Sequence, residues 1–208
     1  MIIDLTKSYE SDMPGVSIRP AKSLEKDGWN ASTLELYSHA GTHMDAPYHF
    51  GVSNQRIDQI PPEKFMGKAW LVRLNNISAQ QEIKVADLGQ IRQKFQAGDS
   101  LLLASGWSKH IGTSTFRDEL PRISEELAQW CVDNKVKMLG VEPPSVANVN
   151  ELEELTLIHQ VLLGGGVIII EGLINLEKIS QETVHLIALP LKIKNGDGAP
   201  ARVIAIEE

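Results

Sequence analysis

Ser38-His39-Ala40-Gly41-Thr42-His43-Met44-Asp45-Ala46-Pro47-Tyr48-His49-Phe50 holds three of the chain's six histidines and an aspartate within eleven residues. His39 and His43 are four apart, the spacing of one helical turn, but Gly41 and Pro47 argue against a helix. In an extended chain His39, His43, Asp45 and His49 share odd parity and project from one face. Pro47 would end or bend such a strand, so parity supports the first three better than His49. Imidazole nitrogen and carboxylate oxygen are ligands for first-row divalent metals. A dense cluster of neutral donors plus an anion is costly to bury unless a cation gathers it. Gly41 suits a place of close backbone approach. The competing reading is a polar loop that happens to be rich in histidine.

Outward from this stretch, the chain has 208 residues, which predicts one domain. A chain of this size buries roughly 70% of its unfolded surface and needs neither disulfide nor structural metal to stand. A metal must therefore be justified by chemistry. Hydrophobic residues at 42% and charged residues at 23% exclude a disordered chain. Twenty Lys and Arg against 27 Asp and Glu, a formal charge of −7, argue against nucleic-acid or anionic-membrane partners. The single cysteine, Cys131, excludes an intramolecular disulfide and a multi-cysteine zinc ribbon. The opening MIIDLTKSYE has no basic segment followed by an apolar one, so no signal peptide is expected. The longest apolar stretch, 161–170, is broken by Gly164, Gly165 and Gly166 and falls far short of the roughly 20 residues that span a bilayer. The expectation is a soluble, cytoplasmic protein.

Strands are predicted at 2–5, 33–37, 69–74, 100–104, 137–141, 167–170, 183–189 and 202–206, with 33–37 alternating as a half-buried strand does. Helical spacing is predicted over 85–96, 124–134 and 155–163, with Ser124 as N-cap of the second. Residues 11–30, with Pro14, Gly15, Pro20 and Gly28, read as an irregular loop. Helices and strands interleave without a steady βαβ rhythm. That predicts an α/β domain with a mixed, largely antiparallel sheet.

Other residues need weighing singly. Glu171 ends the apolar run 167–170, where an unpaired carboxylate would be expensive if buried; it either feeds a site or surfaces. His159, taken alone, reads as a helix-face histidine in the core. The triple glycine lacks the Lys-Ser/Thr of a phosphate loop and reads as a tight turn. His185 reads as a strand histidine and His110 as solvated. Trp29, Trp107 and Phe50 read as packing or pocket lining, Asp197 and Arg202 as an ion pair or substrate contacts, and Cys131 as a core thiol.

SHAGTHMDAPYHF closely resembles the His-x-Gly-Thr-His-x-Asp-x-Pro-x-His signature of the cyclase-like metal-dependent hydrolases, a family that includes bacterial kynurenine formamidases (arylformamidases) and isatin hydrolases. Further segments agree in order. Leu103-Ala-Ser-Gly-Trp107 looks like the family strand ending in Gly-Trp. Gly140-Val-Glu-Pro-Pro-Ser145 resembles its G-x-D-x-x-S segment, with Glu142 in place of Asp. His159 and Glu171 match its second metal segment, and Gly196-Asp-Gly-Ala-Pro-Ala-Arg202 its D-G-x-P-x-R. The resemblance implies a swivelling β/β/α-type single domain over 1–208. It implies two metal ions, Zn²⁺ or alternatively Mn²⁺, with ligands His39, His43, Asp45, His159 and Glu171. Asp45 and Glu171 would touch both ions, His39 and His43 would hold one and His159 the other. His49 matches the general acid/base. The implied activity is hydrolysis of a C–N amide bond by metal-activated hydroxide. An arylformamidase of tryptophan catabolism, turning N-formylkynurenine into kynurenine and formate, is the leading substrate assignment. An isatin-type cyclic amide hydrolase and a non-catalytic metal-binding protein are the alternatives. The family's aromatic substrate contact in the N-terminal loop is missing here, where only Tyr9 precedes Trp29. The expected partners are a small-molecule amide and further copies of the chain, as a homodimer or tetramer.

Overall fold

A computed structural model describes residues 1–207; residue 208, the last of the expected domain, lies outside the described residues. Twelve strands form: β1 (Ile2–Asp4), β2 (Val16–Lys22), β3 (Ala31–Leu36), β4 (His43–Asp45), β5 (Met66–Arg73), β6 (Glu82–Ile83), β7 (Ser100–Ala104), β8 (Arg122–Ile123), β9 (Met138–Val141), β10 (Ile168–Glu171), β11 (Thr183–Pro190) and β12 (Gly198–Ile206). Single helical turns α1 (Leu24–Asp27), α2 (Ile91–Lys94) and α3 (Ser114–Asp118) precede the two longer helices α4 (Glu125–Asp133) and α5 (Leu152–Gly164).

Eight strands make one sheet in the order β1-β12-β11-β5-β7-β9-β10-β4, and β4 also pairs with β12. The sheet thereby closes into a barrel through β4 and β12, which leaves only the short β1 as an edge strand. β12 makes this possible by length. Its first residues pair with β4 and its last with β1, while β11 runs along its other edge. β5, β7, β9 and β10 are mutually parallel; all other pairings in this sheet are antiparallel. The mixed α/β architecture with a largely antiparallel sheet is thus the observed one.

Two apolar cores sit on the two faces of the barrel wall. Inside lie Met44, Leu71, Leu102, Met138, Ile170, Leu186 and Val203. Outside, under the helices, lie Val72, Leu101, Leu103, Leu139 and Ile169, against Leu127 and Cys131 of α4 and Ile158 and Leu162 of α5. Successive residues of one strand enter opposite cores, which is why the parallel strands read as unbroken apolar runs.

Four expectations need correction. Residues 85–96 form a 3₁₀ turn at Val85–Leu88 and the single turn α2 rather than one helix, because Gly89 between them adopts φ +54°. Residues 16–22 are strand, not loop; Pro20 is tolerated because β2 and β3 form an isolated two-stranded ribbon whose register shifts at that point. That ribbon stands off the barrel, so β3 is mostly exposed rather than half-buried. Residues 39–45 are not one extended strand: Gly41 turns the chain at φ +60° and only His43–Asp45 is β.

Candidate metal centre

β4 lies between β10 and β12, and its register decides the site. Met44 faces Ile170 and Ala199, all three in the inner core. The alternate residues therefore face outward: His43 opposite Glu171, and Asp45 opposite Gly198. α5 covers this patch and brings His159 to it from above. All of His43, Asp45, His159 and Glu171 are buried.

His43 Nε2 lies 3.1 Å from Glu171 Oε2 and 3.8 Å from Asp45 Oδ1. His159 Nε2 lies 3.5 Å from Glu171 Oε1 and 3.7 Å from Asp45 Oδ2. His39 reaches the same carboxylate through Nδ1, 2.9 Å from Asp45 Oδ1. The donor atoms fall into groups compact enough for one ion each, His39–His43–Asp45 and Asp45–His159–Glu171, with Asp45 common to both. His39, His49 and Asp197 make a third, more open group. All six residues that the sequence singled out are thereby brought together, and Asp197 joins them.

The ring tautomers show what the cluster is built for. His43 Nδ1 lies 3.0 Å from the Gly41 carbonyl and His159 Nδ1 lies 2.7 Å from the Leu155 carbonyl. A carbonyl only accepts, so each Nδ1 carries the proton. In the neutral ring Nε2 then presents a lone pair toward carboxylate oxygens. Acceptors facing acceptors in a buried pocket are unfavourable unless a proton or a cation lies between them. Asp45 Oδ2 is buried and has no hydrogen-bond partner among the described residues. The donor set, the tautomers and this unpaired oxygen all fit a divalent ion.

Without an ion, protons take its place. Burial alone would lower the pKa of His43 and His159, but their bonds to Glu171 and its charge outweigh this and raise both. His39 is raised against its burial by Asp45 and Asp197. Burial would raise Glu171, yet the two imidazoles hold it well below the usual range. His49 goes the other way: burial lowers it, leaving a neutral ring near pH 7. That ring stacks on His39 at 3.8 Å between centroids and meets Phe50 edge-on at 4.5 Å; Phe50 in turn stacks on His159 at 4.2 Å.

Supporting residues occupy definite places. The Val146 N–H donates to Glu171 Oε1 at 2.8 Å, so the 140–146 segment orients that carboxylate. Glu142 is buried and accepts from Ser105 Oγ at 3.0 Å, Ser108 Oγ at 2.8 Å and the Trp107 N–H at 3.2 Å; it ties down the turn after β7. Trp107 is packed, with Nε1 donating to the Phe116 carbonyl. Trp29 is exposed at the ribbon. Arg202 does not pair with Asp197. It holds Asp4 at 2.7 Å, because it points away from the barrel beside β1, while Asp197 turns to His39 Nε2 at 3.0 Å. Sequence reasoning missed Asp197 as a site residue. It also missed Thr42, which is buried, accepts the Lys7 N–H and donates to the Gly172 carbonyl, bracing the histidine turn.

A barrel that carries a histidine-carboxylate cluster on its outer wall, under one helix, defines the class. The chain belongs to the Cyclase family: the family model described as "Putative cyclase" matches residues 3–148. It is similar to a kynurenine formamidase of Bacillus cytotoxicus, 31% identical over 175 residues, 84% of this chain and 79% of that protein. In structure it is similar to isatin hydrolase A from Ralstonia solanacearum, at TM-score 0.89 and 22% identity, covering 100% of this chain and 92% of that one. It is similar also to a protein described as a "predicted metal-dependent hydrolase" from Bacillus stearothermophilus, at TM-score 0.79 and 25% identity, covering 99% and 97%.

Proposed function

We propose that the chain is a metal-dependent hydrolase that cleaves a C–N amide bond, with an N-formyl aryl amine of the N-formylkynurenine kind as substrate. The observation that carries this reading is the buried Asp45–His159–Glu171 group, whose Nε2 lone pair and unpaired Oδ2 converge on one point. The kynurenine formamidase relative supports the substrate class. Asp45 would serve both ions, with His39 and His43 completing one ligand set and His159 and Glu171 the other. Glu171, whose Oε2 lies 3.1 Å from His43 Nε2, would touch the first ion as well. Zn²⁺ suits these ligands, and Mn²⁺ is the alternative. A bound divalent ion supplies acidified water and a polarised carbonyl at neutral pH.

His49 supplies the proton transfers. Its Nδ1 lies toward Asp197 Oδ2 at 3.8 Å, which leaves Nε2 as the working nitrogen. Nε2 takes the proton of the attacking water and delivers it to the departing nitrogen, which leaves poorly as an anion. The C–N bond breaks, and formate and the free amine result. Phe50 and the His39 ring flank His49 and hold it in place. The reading includes a homo-oligomer, because the β2–β3 ribbon and its ends leave Leu24, Trp29, Leu34 and Tyr37 exposed; light scattering tests this.

Metal analysis and an assay of N-formylkynurenine beside isatin, each with zinc and with manganese, test the rest. Two equivalents of metal and turnover of the formamide are expected. Turnover of isatin alone would move the substrate to cyclic amides, and metal binding with no turnover would leave a binding protein. His49→Ala is expected to lower kcat by about 10²–10⁴-fold with metal content unchanged; full activity would remove its role.

A further inference from the structure

Three imidazoles meet the Asp45–Glu171 carboxylates, and each is held from behind by an acceptor. For His43 and His159 the inner nitrogen is Nε2 and the acceptor behind Nδ1 is a backbone carbonyl. His39 is reversed. Its inner nitrogen is Nδ1, 2.9 Å from Asp45 Oδ1, and the acceptor behind Nε2 is a side chain, Asp197 Oδ2, at 3.0 Å. We propose that Asp197 is the positioning residue that commits His39 to bind the ion through Nδ1, by accepting a hydrogen bond from Nε2–H and so keeping the proton on that nitrogen. This rests on the metal-centre reading and adds to it a residue outside the ligand set.

The placement is built into the barrel. The β4–β12 register sets Gly198 opposite Asp45, and the Ala46 N–H donates to the Asp197 carbonyl at 2.9 Å. Asp45 and Asp197 therefore stand on the two sides of one ring. A Cβ at Gly198 would come within 2.6 Å of His39 Cε1, so the ring lies against bare backbone, and the His49 ring covers it at 3.8 Å. The ring has little freedom to flip, and its tautomer is set by which carboxylate accepts the N–H hydrogen bond. Asp197 as a direct ligand is the rival reading. Asp197 Oδ2 already accepts from Ser38 Oγ at 3.3 Å as well as facing His39, and its side chain is 40% exposed against 1% for Asp45. A saturated, half-open oxygen suits an orienting acceptor. A charged acceptor also makes the ring a stronger donor to the ion than a carbonyl would.

The test uses the full chain stripped of metal and titrated with Zn²⁺ against a chromophoric chelator, beside ¹⁵N-histidine NMR of the zinc-loaded protein. In the wild type, His39 should show a protonated Nε2 and a ligated Nδ1. Asp197→Asn keeps an acceptor and should keep that signature, with a smaller loss of affinity. Asp197→Ala should lose the Nε2–H signal and bind zinc about 10–100-fold more weakly, while still melting cooperatively when metal-free, a little lower below pH 6.5. Unchanged zinc affinity and an unchanged His39 signal in Asp197→Ala would overturn the proposal, as would a wild-type spectrum with Nε2 ligated. Failure of the hydrolase reading shows elsewhere: a protein that binds zinc with this Asp197 dependence yet cleaves neither amide keeps the proposal and loses the function. A wild type that takes up neither zinc nor manganese overturns both.

Discussion

Met44, Ile170 and Ala199 sit side by side on the inner face of the barrel wall; one residue along the same strands, His43, Glu171 and Pro200 sit side by side on the outer face. The inner set is apolar and fully buried, and it stabilises the fold in the ordinary way. In the outer set His43 and Glu171 are polar and buried too, which costs stability unless every charge is answered. One register serves both faces, and a slip of one residue would put the imidazole inside and the methionine on the site. The comparison teaches that the packing face fixes the geometry of the reactive one. The geometry of the site is held by packing contacts it does not itself make.

The two faces should therefore fail differently. The largest effect is expected from Asp45→Asn on the outer face. It removes the carboxylate that belongs to both compact donor groups, and hydrolysis should fall on the order of 10³-fold or more, several kcal/mol of lost transition-state stabilisation. Zinc at about 100 times its Kd should stabilise the wild type by about 2.7 kcal/mol and this variant hardly at all. Metal-free, the variant should melt slightly lower below pH 6.5, since the charge that helps hold His39 and His43 protonated is lost. A large metal-free destabilisation would show that Asp45 is a structural residue instead. Met44→Ala, directly adjacent, should do the reverse: about 2–5 kcal/mol lost in a denaturant melt, with metal stoichiometry unchanged.

The comparison sharpens with pH. His39, His43 and His159 have raised folded-state values, so their contribution is complete below the ordinary 6.5 and is lost as pH rises through the folded values. Glu171 is lowered, so its contribution is complete above the ordinary 4.5 and is lost as pH falls. His49, lowered by burial, opposes the first trend as one ring against three. Metal-free protein should therefore melt highest between about pH 4.5 and 6.5 and weaken above that window. Metal binds the deprotonated rings, so its stabilisation should grow over the same rise in pH. Melts across pH with chelator and with zinc should cross; parallel curves would mean that the histidines do not meet the ion.

The same contrast explains what could be read from the sequence. Apolar runs such as Ile168–Ile170 and Leu101–Leu103 announce strands covered on both faces, and the cluster from His39 to His49 announces metal chemistry. Barrel closure was not legible, because β4 is three residues long and its pairing with β12 is a long-range fact with no local pattern. The β2–β3 ribbon was half legible: 33–37 alternates and announces β3, but β2 buries little beyond Val16, and Pro14, Gly15 and Pro20 make it read as a loop. The broken helix at 85–96 kept its apolar spacing while Gly89 changed its backbone. Asp197 was visible as the Asp of the D-G-x-P-x-R segment and as half of an ion pair with Arg202 or a substrate contact, but nothing local tied it to His39.

That pair separates the two ends of β12, and it gives the smallest effect. Asp197 precedes the strand where it runs beside β4, so it faces His39. Arg202 lies further along, opposite Leu189 of β11 and beside β1, where its guanidinium grips Asp4 with two hydrogen bonds. The Arg202 side chain is 71% exposed and Asp4 46%, so solvent screens the attraction even though the geometry is forked. Arg202→Ala should cost less than about 1 kcal/mol in a denaturant melt, and less still in high salt. Zinc affinity and hydrolysis should not change. If Arg202→Ala lowered zinc affinity as Asp197→Ala is expected to, the two ends of the strand would be coupled. The division between a packing register and a reactive one would then have to extend past the β4 seam to the edge where β1 pairs.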